Sequence, residues 1–201
     1  MLHSTRDAAA RLGVTKRQVN RLVHSGGIVA DRIGGNVLIS DRALTAARRS
    51  ASRGRRWTGL TARAATELIE HGTTTALTGT ELSRLKQRLR AATAAELAYQ
   101  LLADRASLWR ATTGTGAAVE SALAEQLGLA ASGGLSVEAT PDPKRRAREL
   151  RLVEDTEGDV LLVEADPDAR LTSEALGLYA FGGTRESTAA AAWLRDRLEQ
   201  L

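Results

Sequence analysis

Between Leu12 and Val19 the chain reads Leu-Gly-Val-Thr-Lys-Arg-Gln-Val, and this stretch restricts the fold more than any other. Glycine is the usual residue at the left-handed position that closes a helix. Threonine followed three residues later by glutamine is the spacing of a capping box. One helix, Arg6 to Leu12 with Ser4 or Thr5 as its cap, therefore ends at Gly13, and a second opens at Lys16. Ala9 with Leu12, and then Val19, Leu22 and Val23 at i, i+3 and i+4, form the inward stripes. Ser25-Gly26-Gly27 ends the second helix. So short a link forces a tight angle between the two, the angle of a helix-turn-helix, in which the start of the second helix meets base edges.

The outward residues of that second helix suit such a role. Arg17 and Arg21 are four apart and each matches guanine O6/N7, while Gln18 and Asn20 suit adenine. Lys16 and Arg17 oppose the helix macrodipole where they stand, a cost that a nearby phosphate would remove. Residues 28–40, IVADRIGGNVLIS, then place apolar residues on both sides of Gly-Gly-Asn, a turn centre for a β-hairpin. A hairpin after such a helix is a wing, with Arg32 and Asn36 near its tip. Asp41 is expected to cap a short third helix, RALTAARR. Thr15, Lys16, Arg17, Gln18, Asn20, Arg21, His24, Arg32 and Asn36 are thus the candidate DNA contacts. A helical hairpin with a basic, merely solvated outer face is the alternative.

Ala-Ala, Leu-Gly-Val-Thr, Arg-Gln-Val and Arg-Leu-Val across residues 8–23, followed by hairpin and helix, resemble the excisionase and MerR-like winged helix-turn-helix proteins. That resemblance implies duplex DNA as a partner.

Charge divides the chain in the same place. Residues 1–56 carry 12 Lys and Arg against 3 acidic residues, a balance of +9, whereas residues 57–201 carry 16 against 21, a balance of −5. From Leu150 onward the count is 5 against 11, or −6. A basic head on an acidic tail points to partners of opposite electrostatic character. The expected organisation is a DNA-binding domain over 1–48, a basic linker over 49–56 and an α/β domain over 57–201. RRSASRGRRW, with five arginines in ten residues, suits contact with phosphates or a hydrated tether equally well. Trp57 anchors the start of the second domain.

Hydrophobic residues make up 43% of the 201, enough for a core, but aromatics are only 3%, so Leu, Val and Ala must fill it. The chain has no cysteine, which excludes disulfides, thiol chemistry and cysteine-bound zinc and fits a reducing cytoplasm. No signal-peptide pattern and no run of eighteen apolar residues occurs, so a cytoplasmic protein without a membrane span is expected.

The second domain reads as four helices, then strands, then one or two helices. Thr61–His71 carries Ala64, Ala65, Leu68 and Ile69 on one face and ends at Gly72. Thr78 with Glu81 and Thr93 with Glu96 have capping-box spacing, the first before Leu82, Leu85 and Leu89, the second before Leu97, Leu101, Leu102 and Leu108. Val119, Leu123 and Leu127 form a fourth stripe closed by Gly128. Strands are expected at 135–139, 149–153 and 159–165, the last apolar on both faces and therefore central. Asp-Thr-Glu-Gly-Asp should join the last two as a hairpin. Gly-Leu-Tyr-Ala-Phe-Gly-Gly reads as a loop before a closing helix. The whole is an α+β chain, its small sheet covered by helices.

No catalytic set emerges. His3, His24 and His71 lie far apart in sequence and without local carboxylate spacing, so no metal site is expected from them. Residues 112–120, TTGTGAAVE, lack the third glycine of a dinucleotide loop and the Lys-Ser/Thr of a P-loop, and read as a helix-opening turn. The acids between Glu154 and Asp168 read as a solvated face. No enzyme activity and no cofactor is expected.

RRWTGLTARAATELIEHG, ELSRLKQRLR, DRASLWRA and GDVLLVEAD…ALGLYAFGGTRESTAAAAWLRDRLEQL resemble actinobacterial AbiEi-type antitoxins over nearly the whole chain. This resemblance implies a transcriptional autorepressor that also counteracts a nucleotidyltransferase-like toxin; an operator with inverted half-sites, bound by a homodimer, is the expected DNA target. A stand-alone regulator with a C-terminal sensing or dimerisation domain is the rival. An enzyme with a DNA-binding appendage and a recombination directionality factor are further options.

Overall fold

The structure is a computed structural model that describes residues 1–50, 56–112, 119, 121–129 and 134–201. It is α+β, with two small sheets.

The first sheet belongs to the N-terminal 50 residues. Strand β1 (Leu2–Ser4) leads into α1 (Thr5–Leu12), capped by Ser4 and closed by Gly13 at φ 67. Helix α2 (Lys16–His24) follows, then the antiparallel hairpin β2 (Asp31–Ile33) and β3 (Asn36–Ser40), then α3 (Asp41–Arg49). Ile33 pairs with Asn36 across Gly34-Gly35, both at positive φ, so the two-residue turn takes the twist a hairpin needs. β1 pairs with β3 on its other side, Leu2 opposite Ser40, giving the order β1-β3-β2. This first strand was not legible in the sequence: three residues are too few to show alternation. Ala8, Ala9, Val19, Ile28, Ile39, Ala43 and Leu44 make the buried cluster beneath it. The cap of α3 is Ser40, whose Oγ accepts from the Ala43 amide at 3.2 Å, and Asp41 is the first helical residue. The expected cap is therefore displaced by one position.

The remainder begins with three helices, α4 (Gly59–His71), α5 (Gly79–Arg90) and α6 (Ala94–Leu101). Thr93 and Glu96 form the expected capping box. Thr78 makes no side-chain cap bond, because the chain enters α5 through Gly79 at φ 56. Leu108, expected on a helix, lies in strand β4 (Ala106–Ala111), reached through a 3-10 turn at Ala103–Arg105. The fourth expected helix is shorter, α7 (Ala122–Gln126), with Gly128 at φ 64 after it. Then come β5 (Ser136–Thr140), α8 (Pro143–Glu149), β6 (Leu152–Glu154), β7 (Val160–Glu164), a 3-10 turn at Pro167–Ala169, α9 (Arg170–Phe181) and α10 (Thr184–Glu199).

The second sheet has the order β5-β7-β4-β6. β7 is interior, as its apolar run requires, parallel to β5 and antiparallel to β4. The expected β6–β7 hairpin is absent: both strands pair with β4, from opposite sides. Asp155–Asp159 instead passes across β4, so close that a Cβ on Gly158 would lie 2.0 Å from the Trp109 carbonyl oxygen. Along β7, Leu161 and Val163 join the large core, while Val160 and Leu162 join Trp109, Ala147 and Leu152 in a second cluster.

Helix α9 is the axis of the large core. It was expected in part as a loop, since a helix buried nearly all round shows no one-sided stripe. Gly177 lets it settle on the sheet, where an added Cβ would meet Leu161 and Val137 at 3.0 Å. The C-terminal carbonyls of α9 receive Arg49, whose Nη1 donates to Tyr179 O at 3.1 Å and Gly182 O at 2.6 Å. Arg49 thereby joins the N-terminal residues to the body, and Arg42 (to Gly134 O, 3.0 Å) and Asp31 (from Thr156 Oγ1, 2.6 Å) add two further ties. No helix among the described residues is long and apolar enough to cross a membrane.

Candidate nucleic-acid interface

Helix α2 owes its start to Thr15. The Gln18 amide donates to Thr15 Oγ1 at 3.2 Å, and Gln18 Oε1 accepts from the Thr15 amide at 2.8 Å and from its hydroxyl at 3.0 Å. The box spends the Gln18 carbonyl oxygen. A bidentate contact to adenine needs that oxygen as well as the amide N–H2, so Gln18 here is a residue that holds the helix start, with only its N–H2 left to meet a partner.

At 100° per residue, Arg17, Asn20, Arg21 and His24 fall at i, i+3, i+4 and i+7, one stripe opposite the buried Val19. All four are exposed. Lys16 and Gln18 flank the stripe on either side. Among the described residues, Lys16, Arg17, Arg21 and Arg32 form no ion pair. Four exposed cations without a counter-charge are available to an external anion.

The hairpin stands beside the start of this helix. A groove lined by Ser4, Thr5, Arg6, Lys16, Ile33 and Asn36 runs between α1, α2 and the β2–β3 turn, so Lys16 and Asn36 share one surface. Arg32 does not line it: side chains alternate along a strand, and Arg32 sits one residue from Ile33. Two residues that sequence reasoning missed belong here. Arg6 is a cation in the first turn of α1, and the macrodipole argument applied to Lys16 flags it equally. Ile33, 56% exposed at the tip of the hairpin, is an apolar side chain where an ordinary surface turn carries polar ones.

The back of this unit is held by charge pairing. His3, buried on β1, places Nε2 2.7 Å from Asp41 Oδ1, and Arg11 Nη1 donates to the same oxygen at 3.2 Å. The hydrogen bond from His3, more than the nearby positive charges, holds the Asp41 carboxyl below its ordinary value. The linker arginines within the described residues each make internal hydrogen bonds. Arg48 donates to the Arg11 carbonyl, Arg49 to the end of α9 and Arg56 to Ser25 O at 3.3 Å. Residues 51–55, with the other two arginines of that stretch, lie outside the described residues.

In the acidic stretch, Glu154, Asp159, Glu164 and Asp168 are exposed and form no ion pair among the described residues, whereas two neighbours are paired with arginines. Asp155 accepts from Arg110 Nε at 2.6 Å, which holds its carboxyl low, and Asp166 lies 3.5 Å from Arg63 Nε. His71 bonds the Asp168 carbonyl rather than a carboxylate. Among the described residues no three His, Cys, Asp or Glu side chains gather as a metal site. Glu174, buried in α9, accepts from Ser121 Oγ at 2.9 Å and from the Leu123 amide at 3.0 Å, tying α7 to the core. The glycine-bearing turn at 113–118 lies outside the described residues.

No family model matches this chain, and no curated protein or solved structure matches it.

Proposed function

We propose that this chain is a DNA-binding transcriptional regulator whose N-terminal residues form a winged helix-turn-helix. Helix α2 enters the major groove and the β2–β3 hairpin is the wing. The observation that carries this reading is the exposed stripe Arg17, Asn20, Arg21 and His24, beside Lys16, with which no carboxylate among the described residues pairs. Arg17 and Arg21 read base edges; Lys16 and Arg6 meet phosphate across the groove they share with Asn36.

The test is fluorescence anisotropy with the protein's own promoter fragment against random duplex of equal length. Arg17→Ala or Arg21→Ala is expected to cost about 1–3 kcal/mol on the specific site and to relax its sequence preference. Arg145→Ala, a body cation already held by Glu149 at 2.9 Å, is expected to leave affinity within about twofold. Equal binding of promoter and random duplex by native protein and variants would overturn base readout.

Two copies on inverted half-sites, about 34–36 Å apart, give the expected operator. In its cell this regulator is proposed as the antitoxin of a toxin–antitoxin pair, following the AbiEi resemblance. The acidic balance of −6 after Leu150 suits a basic, nucleotide-handling toxin. Co-expression with the product of the adjacent gene tests this: restored growth supports the antitoxin role, and unrelieved or absent toxicity leaves the stand-alone regulator.

A further inference from the structure

The described residues leave a space at the join between the N-terminal unit and the body. A cavity of about 320 Å³ remains there, with Leu12, Leu22 and Ala47 on one side and Ala98, Leu102 and Phe181 on the other. Its lining is predominantly apolar, and among the described residues the charged ones in it are Arg48 and Arg56. Arg56 lies over the Tyr99 ring, 5.5 Å from its centroid, and its Nη1 donates to Ser25 O at 3.3 Å. Arg48 donates to the Arg11 carbonyl. Among the described residues neither guanidinium forms an ion pair with a carboxylate. Asp104, which packs against Gly26 close by, pairs with neither.

Apolar walls with charge of one sign at their edge define the complementary ligand. A hydrocarbon body gains by leaving water for such a cavity, and a carboxylate gains a charge-assisted hydrogen bond from a guanidinium whose donors are only partly used. We propose that this cavity binds a small amphipathic organic carboxylate, with an aliphatic or aromatic body of on the order of ten non-hydrogen atoms. Its walls come from α1, α2 and α3 on one side and from α6 and α9 on the other. Occupancy therefore fastens the N-terminal unit to the body and raises the unfolding midpoint by mass action.

Octanoate is the probe, with octan-1-ol as its uncharged equivalent, each titrated calorimetrically into the full-length chain. Octanoate is expected to bind once per chain, and octanol roughly tenfold more weakly. Arg56→Gln, a partly exposed position, should weaken octanoate roughly tenfold and leave octanol unchanged. Ala47→Phe fills the cavity and should abolish both, with circular dichroism confirming the fold. If that variant does not fold, Arg56→Gln and the octanol comparison decide. Absence of saturable octanoate binding up to about 10 mM, equal affinity for the two probes, or octanoate binding unaffected by Arg56→Gln would each overturn the proposal. Every arm is read without DNA, so its outcome is independent of the regulator reading.

Discussion

Helix α2 and four arginines of the body handle positive charge in opposite ways. In the body, Arg63, Arg110, Arg145 and Arg146 each lie against a carboxylate, Glu67, Asp155, Glu149 and Glu138 respectively. On α2, Lys16, Arg17 and Arg21 have none among the described residues. Helix α2 leaves its cations unpaired toward solvent, whereas these four body arginines are paired although three of them, Arg63, Arg110 and Arg145, are more than half exposed. Glycines are of two kinds, each found in both regions. A Cβ on Gly13, Gly34 or Gly35 would meet nothing within 4 Å, so those residues serve backbone conformation alone. Gly72, Gly79 and Gly128 of the body also have open space around an added Cβ. Gly158 and Gly177 serve contact, letting one element lie against another, and a Cβ on Gly26 would meet Asp104 at 2.6 Å.

Glycine substitution sharpens this contrast most strongly. Gly158→Ala drives a methyl group into the Trp109 backbone, which has no flexible end to yield, and should cost about 3 kcal/mol in urea unfolding. Gly34→Ala, with open space around it but φ at 56, should cost only about 1 kcal/mol. Equal costs would mean that the two classes of glycine are not distinct.

Next in size is the tie between the regions. Arg49→Ala removes a cation from the last carbonyls of α9 and should cost about 2 kcal/mol. Partial proteolysis should then release the N-terminal unit before the body unfolds. A single cooperative transition of unchanged midpoint would show that Arg49 is not the principal tie.

The smallest effect is one of sign in pH. Asp41, in the N-terminal unit, has its carboxyl held below its ordinary value, chiefly by the His3 hydrogen bond. Its contribution is present above the unfolded-state value and is lost as pH falls through the folded-state one. Burial pushes the Glu174 carboxyl up, against the hydrogen bonds from Leu123 and Ser121. Its contribution is complete below the unfolded-state value and is lost as pH rises through the folded-state one. Asp41→Asn should therefore lower the thermal midpoint at pH 7, with the deficit fading in acid. Glu174→Gln keeps the acceptor without the charge and should raise the midpoint at pH 7, with the advantage fading below about pH 4. Parallel pH profiles for the two variants would remove the distinction.

The difference in legibility follows the same division. Gly13, the Thr15–Gln18 box and the Gly34-Gly35 turn act through neighbours within four residues, so the helix–helix–hairpin–helix order was readable, down to the first residue of α2. Where a partner was distant the reading failed. β1 exists because β3 pairs with it, and Asp41 serves His3 rather than the cap of α3. In the body, Leu108 has helical spacing from Leu101 yet lies in a strand, because β6 and β7 flank it. Of the candidate contacts, the α2 stripe follows from periodicity alone, whereas the nearness of Lys16, Arg6 and Asn36 depends on how hairpin and helices pack.

The sequence by itself determined the local punctuation of the chain, the division of charge between its ends, and the polar face of α2. Each is a property of residues a few positions apart or of simple totals. Tertiary structure alone decided that β4 lies between β6 and β7, that α9 is buried nearly all round, and that Arg48 and Arg56 border an apolar cavity. Those outcomes depend on contacts between segments tens of residues apart, where burial of surface outweighs the preferences of any short stretch.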